Sequence, residues 1–178
     1  MSDELPAVSS RRLFLALWPE PADQQRWAAL ARQLRGGRLV HPDNLHLTLV
    51  FFGSTTPQRE ACYRQTLAGL TLPELELELD TLGYWPRPRV LWLGPSCMPP
   101  ALPELVAELQ NRLVACGHRP ETRPYQAHIT LARHHPGPAP VFPETAPLRW
   151  RPRRLVLVES LSTPHGVRYL PRHEWHRD

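Results

Sequence analysis

Apolar positions along the chain follow two periods. Residues 12–18 (RLFLALW) form an unbroken apolar run stopped by Pro19, the pattern of a buried strand. Residues 20–35 place Trp27, Leu30, Ala31 and Leu34 at helical spacing, with Gly36-Gly37 as the stop. Residues 45–53 (LHLTLVFFG) alternate at first and predict a strand. Residues 57–70 predict a second helix opened by Thr55, Thr56 and Pro57. Residues 72–82 (LPELELELDTL) give strict alternation: Glu74, Glu76, Glu78 and Asp80 share one face, and Leu75, Leu77 and Leu79 the other. Such acids spread along a strand face rather than converge, so a solvated face is expected rather than a metal site. Residues 89–93 predict the next strand. Residues 100–117 predict a helix with Leu102, Leu105, Val106, Leu109 and Leu113 on one stripe and Gly117 beyond its end. Residues 126–133 (QAHITLAR) predict a strand, 134–147 a proline-rich loop, 154–160 a strong strand and 167–170 a weaker one. Helices and strands mix without regular βαβα alternation, which favours an α+β fold with mostly antiparallel sheets.

Composition narrows the class. The chain has 178 residues, 42% hydrophobic and 21% charged, enough to build a core and unlike a disordered chain. Residues 1–10 are polar, expected to be disordered, and unlike a signal peptide. No apolar run approaches the ~20 residues of a membrane span. The three cysteines, Cys62, Cys97 and Cys116, are odd in number and lack a C-x-x-C pair. They predict neither a disulfide scaffold nor a zinc ribbon, and point to a reducing, cytoplasmic setting. All 21 basic residues are arginine, and the net charge is +4. A lone isoleucine and two asparagines fit a GC-rich coding bias as the source of the missing lysine. Guanidinium nonetheless suits phosphate, and a chain without lysine has no lysine nucleophile, Schiff base or adenylated lysine.

One pattern carries chemistry. His46-Leu47-Thr48-Leu49 and His128-Ile129-Thr130-Leu131 are both His-apolar-Thr-apolar, one in each half of the chain and each on a predicted strand. Residues i and i+2 share a strand face, so each His/Thr pair points one way while the apolar partners enter the core. A pseudo-twofold relation between the halves would bring both pairs to one cleft. Two imidazoles near pKa 6.5 serve as acid and base, and two hydroxyls donate to phosphate oxygens. Arg133 and Arg123 flank the second motif and could neutralise charge on a phosphoryl group. Arg133 differs in parity from His128 and Thr130, so it reaches the cleft only if the strand ends or bulges near Ala132. A metal site would need a third ligand, from His41 or from His134-His135, and threonine is a poor zinc ligand.

These motifs resemble those of the two-histidine (2H) phosphoesterase superfamily, and within it the bacterial and archaeal RNA 2′,3′-cyclic phosphodiesterases, historically called 2′-5′ RNA ligases. The resemblance runs from Arg12-Leu13-Phe14-Leu15-Ala16 through Asp43-Asn44-Leu45-His46-Leu47-Thr48-Leu49, Phe52-Gly53, Arg89-Val90-Leu91-Trp92-Leu93-Gly94 and Arg123-Pro124-Tyr125 to His128-Ile129-Thr130-Leu131-Ala132-Arg133, residues 155–160 and Tyr169. It implies one bilobal α+β domain over 11–178, with two mostly antiparallel sheets and outer helices around a V-shaped cleft. It also implies metal-independent hydrolysis of RNA 2′,3′-cyclic phosphate ends, or of a cyclic nucleotide, to a 2′-phosphate, without cofactor. His46 would be the proton donor, His128 the proton acceptor, Thr48 and Thr130 phosphate ligands, and Arg133 a further phosphate contact. Phe14 or Tyr125 would stack on a base, or else pack in the core. A monomer is expected, since both motifs lie in one chain. Reverse 2′-5′ ligation, a non-catalytic RNA-end binder and a 2H enzyme for another cyclic phosphate or oligonucleotide end are the alternatives.

Overall fold

The computed structural model describes residues 9–143, 146–164 and 166–177. The elements run β1 (Arg11–Leu17), α1 (Pro21–Gln33), β2 (Arg38–Leu39), β3 (Leu47–Thr55), α2 (Pro57–Thr66), β4 (Leu77–Leu79), β5 (Thr81–Trp85), β6 (Val90–Gly94), α3 (Ala101–Leu113), β7 (Ile129–Arg133), β8 (Leu148–Trp150), β9 (Arg154–Thr163) and β10 (Gly166–His176). The expected disorder of 1–10 falls, for residues 1–8, outside the described residues.

The fold is α+β with two antiparallel sheets, one of eight strands and one of two. The large sheet is ordered β10-β9-β1-β3-β7-β6-β5, with β2 added on β7. It has two arms. The β3–β7 junction that joins them is a single residue pair, Leu47↔Ile129. These are the apolar residues at the centre of the two tetrapeptides, so an antiparallel pair sets His46 across from Thr130 and Thr48 across from His128. The seam thus brings the two motifs together as the repeat predicts.

The apolar run in β1 is explained by burial on both faces. Leu13, Leu15 and Leu17 enter the main core with Trp27 of α1 and the leucine stripe of α3. Phe14, Ala16 and Trp18 form a second cluster with Val156 and Val158 of β9, packed by Tyr169 of β10. The acidic alternation divides at Asp80 into β4 and β5. Asp80 leaves the ladder to accept from Ser96 N at 2.7 Å and Ser96 Oγ at 2.6 Å. Glu76 and Glu78 face Arg151 and Arg149 across the two-stranded sheet, so the acidic face is ion-paired as well as solvated.

The cysteine reading requires correction. Cys62 on α2 and Cys116 in the turn after α3 form a disulfide, with Cα atoms 5.7 Å apart and a sequence separation of 54; Cys97 is free and exposed. An odd count excludes only complete pairing. The two elements meet in tertiary structure, which spacing does not reveal. The bridge also removes the ground for expecting a reducing compartment. No helix among the described residues is long and apolar enough to cross a membrane.

Candidate active site

The two H-x-T-x segments open a cleft lined from both arms. A cavity of about 410 Å³ is bounded by His46, Thr48, His128, Thr130 and Arg133, with Phe14 and Tyr169 on one wall and Arg38 and His41 on another. No carboxylate among the described residues lines it. Arg38 and Arg133 are neighbours in the β2–β7 ladder, and neither has an ion-pair partner among the described residues, so the cavity is an uncompensated cationic site.

Both histidines sit one residue before their strands, later than the expected strand starts. Each ring is held from behind in the same way. His46 Nδ1 donates to the carbonyl of Asn44 at 2.7 Å, and His128 Nδ1 donates to that of Gln126 at 3.0 Å. A carbonyl only accepts, so the proton of each neutral ring is on Nδ1 and Nε2 is free for chemistry. His46 Nε2 lies 3.0 Å from Thr48 Oγ1, so the hydroxyl donates to the neutral ring. Asn44 Nδ2 donates to Val167 O at 2.9 Å and ties the segment before β3 to β10.

His46 stands among three aromatic rings. Trp18 stacks parallel at 5.3 Å, Phe14 tilts at 4.9 Å and Tyr169 presents an edge-to-face contact at 5.1 Å. Burial pushes the His46 pKa down to about 4, with His128 and Arg133 adding to the fall and the Asn44 carbonyl opposing it. Burial likewise lowers His128, aided by Arg133 and opposed by the Gln126 carbonyl. The face of Trp18 favours a charged ring and acts against burial.

Arg133 reaches the cleft by the route its parity demands. The β6–β7 register jumps from Leu91↔Ala132 to Trp92↔Thr130, so Leu131 is a bulge residue. Leu131 and Ala132 are both buried and Arg133 emerges exposed on the cleft face. β3 repeats the device. Its register with β1 jumps from Leu15↔Val50 to Ala16↔Thr48, so Leu49 bulges, Leu49 and Val50 are both buried, and Phe51 emerges. Phe51 is therefore the counterpart of Arg133 across the seam.

The remaining candidates separate. Phe14 lines the cavity but is only 3% exposed, packed beneath His46. Tyr125 donates to Thr48 O at 2.8 Å and so braces β3; burial raises its pKa. Arg123 lies away from the histidine cavity, paired with Glu121 at 2.7 Å. Arg38, Phe51 and Trp18 are site residues that the sequence pattern does not single out. Arg38 follows two glycines that read only as a helix stop, and Phe51 lies on the wrong parity until the bulge is counted. Among the described residues, no three of His, Cys, Asp and Glu gather as metal ligands.

Paired His/Thr motifs facing one cationic cleft on an antiparallel α+β frame define a two-histidine phosphoesterase. Comparison with known proteins agrees. The LigT-like phosphoesterase family model matches the chain twice, over residues 17–92 and 93–169, one match for each motif. The RNA 2′,3′-cyclic phosphodiesterase of Escherichia coli K12 is 31% identical over 168 residues, covering 93% of this chain and 96% of that protein. The structure of Escherichia coli LigT complexed with 3′-AMP superposes with a TM-score of 0.82 at 28% identity, covering 94% of this chain and 98% of that one. A structure from Thermus thermophilus gives 0.71 at 27% identity, covering 93% and 97%. The chain belongs to the LigT-like phosphoesterase family.

Proposed function

We propose that this protein hydrolyses 2′,3′-cyclic phosphate ends of RNA to 2′-phosphate ends, by acid/base catalysis between two histidines and without a metal ion. The observation that carries this reading is the Leu47↔Ile129 pair, which puts both His/Thr motifs on one cavity. The RNA 2′,3′-cyclic phosphodiesterase name of the Escherichia coli relative supports the substrate.

In this reading His128 Nε2 takes a proton from water as its oxygen attacks phosphorus. The P–O3′ bond breaks in line, and His46 Nε2 gives its proton to the departing 3′ oxygen. Thr48 and Thr130 donate to nonbridging oxygens. Arg133, with Arg38 beside it, balances charge gathered on the phosphoryl group. Thr48 turns from His46 to phosphate when the acid is charged, because an imidazolium no longer accepts. The assignment of acid and base follows the family resemblance. Residues 11–178 act as one bilobal unit, since each arm holds half of the machinery, and a monomer suffices. Reverse 2′-5′ ligation follows from microscopic reversibility, with water favouring hydrolysis.

The test is release of 2′-phosphate from a nucleoside 2′,3′-cyclic phosphate in EDTA. The wild type is expected to turn over, and His46→Ala and His128→Ala to lose at least 10²-fold, in line with general acid–base contributions of roughly 10²–10⁴. Turnover that survives both substitutions, or that needs added metal, overturns the reading.

A further inference from the structure

In the reading above His46 gives a proton to the leaving oxygen, so its ring must carry a positive charge before each turnover. Its surroundings offer little to hold that charge. The titratable and charged groups facing it are His128 from the segment before β7, Arg133 from β7, Tyr169 from β10, and Arg38 and His41 across the cavity. Those that bear charge near neutral pH are cations, and no carboxylate among the described residues lines the cavity. A buried carboxylate is the usual support of a catalytic imidazolium, as in the Ser-His-Asp triad. Here the Nδ1 side of the ring meets only the neutral carbonyl of Asn44.

The ring stacked on His46 supplies what a carboxylate would. Trp18 lies parallel to it, with 5.3 Å between centroids and 4° between planes. An aromatic face carries negative potential, and among side chains the indole face attracts a cation most strongly, the more so when both are desolvated. Trp18 is buried just past the end of β1, and its backbone N–H donates to the Arg154 carbonyl at 2.9 Å, so the indole is anchored. It does not line the cavity, so it acts on the reaction only through His46. Phe14 and Tyr169 close other sides of the ring at 32° and 89°, without a parallel face. His128 has a different neighbour: Trp85 meets it at 75°. Two histidines alike in motif and tautomer thus differ in aromatic contact, and the stacked one is the donor.

We propose that Trp18 is a positioning residue for the reaction: stacked on His46 and out of reach of substrate, it fixes the plane of the ring and stabilises the imidazolium from which the proton is given. The inference rests on the acid/base reading above and adds to it the group that sustains the charge of the acid.

The experiment places difluorotryptophan at position 18 alone, by nonsense suppression, and compares it with wild type, Trp18→Phe and Trp18→Leu. Fluorine draws charge from the indole face and nearly keeps its volume, so packing is held constant. NMR follows the titration of His46 in saturating sulfate, an anion whose charge is fixed over the range, with His46→Gln to assign the signal. In parallel, kcat/KM is measured for a 2′,3′-cyclic mononucleotide at pH 7. Fluorination is expected to lower the His46 midpoint by about half a pH unit and kcat/KM about threefold, the part of a desolvated cation–π contact that a weakened face loses. Trp18→Leu should lower kcat/KM about tenfold, and Trp18→Phe, which retains a face, should lie between wild type and Trp18→Leu. A midpoint that stays in place on fluorination, as it would if Trp18 only excluded water, or that rises, overturns the proposal; so does wild-type kcat/KM in Trp18→Leu. If the wild type does not hydrolyse the cyclic nucleotide, the reading above fails, and the titration alone decides whether Trp18 sustains the charge on His46.

Discussion

At the residue scale, the two histidines share a design and differ in surroundings. Both are locked as the Nδ1–H tautomer by a carbonyl two residues back, yet only His46 is enclosed by aromatic rings, and its pKa falls to about 4. Burial in the cleft therefore favours neutral imidazoles at neutral pH. A bound phosphate anion favours the charged form of each and raises both pKa values. The bell-shaped profile of kcat/KM, which reports the free protein, should thus peak below pH 6.5, and the kcat profile should peak at higher pH. A kcat/KM maximum above pH 7 would show that the cleft does not hold His46 neutral. The same shift has a stability consequence. Between pH 6.5 and 4 the unfolded chain binds more protons than the folded one, so stability from His46 is full above pH 6.5 and is lost as pH falls toward 4. His46→Gln should flatten that loss in urea titrations at pH 7 and pH 4.5, and an unchanged slope would contradict the assignment.

At the element scale, the bulges decide what the motifs can reach. H-x-T-x supplies two cleft-facing side chains by simple alternation, and the bulge at the next residue adds a third: Phe51 on β3 and Arg133 on β7. The short strand β2 sets Arg38 beside Arg133 because Gly37, at φ +73°, lets it approach β7. A Cβ there would stand 2.8 Å from the Arg133 carbonyl oxygen. Gly37→Ala should therefore cost about 1–3 kcal/mol of stability, as strained left-handed residues do. It should also raise KM for a cyclic nucleotide, because Arg38 and Arg133 lose their alignment. Urea unfolding and steady-state kinetics check this, and unchanged values in both would show that the close approach is not required. This scale also marks where the sequence is legible. Periodicity locates the three helices and most strands, and parity alone implies that Arg133 requires a bulge. It does not reveal β2, whose two residues are too few for a period, nor the break at Asp80, which arises from Ser96 sixteen residues away. Phe51 is hidden because an uncounted bulge reverses the face of every later residue.

At the scale of the whole molecule, the two halves of the chain interleave through the β1–β9, β6–β7 and β4–β8 ladders, and two further links between them, the seam and a disulfide, should be separable by experiment. The Leu47↔Ile129 seam builds the site. The Cys62–Cys116 bridge joins α2 from the first half to the turn after α3 from the second, supported by Arg59, which donates to the carbonyls of Cys116 at 3.3 Å and Gly117 at 2.7 Å. Neither cysteine lines the histidine cavity. Closing a loop between cysteines 54 positions apart stabilises a chain by roughly 4 kcal/mol in the loop-entropy account. The double variant Cys62→Ser/Cys116→Ser should accordingly lose up to about 4 kcal/mol in urea unfolding. Its kcat/KM for a cyclic mononucleotide should stay within about twofold of wild type, because the seam is untouched and about twofold is only some 0.4 kcal/mol of barrier. Thiol titration of the unfolded wild type should find one free group, Cys97, before reduction and three after it. Three free thiols without reductant would show that α2 and the turn after α3 are joined by packing and Arg59 alone. A double variant that keeps its stability but loses turnover would place the bridge within the catalytic frame rather than beside it.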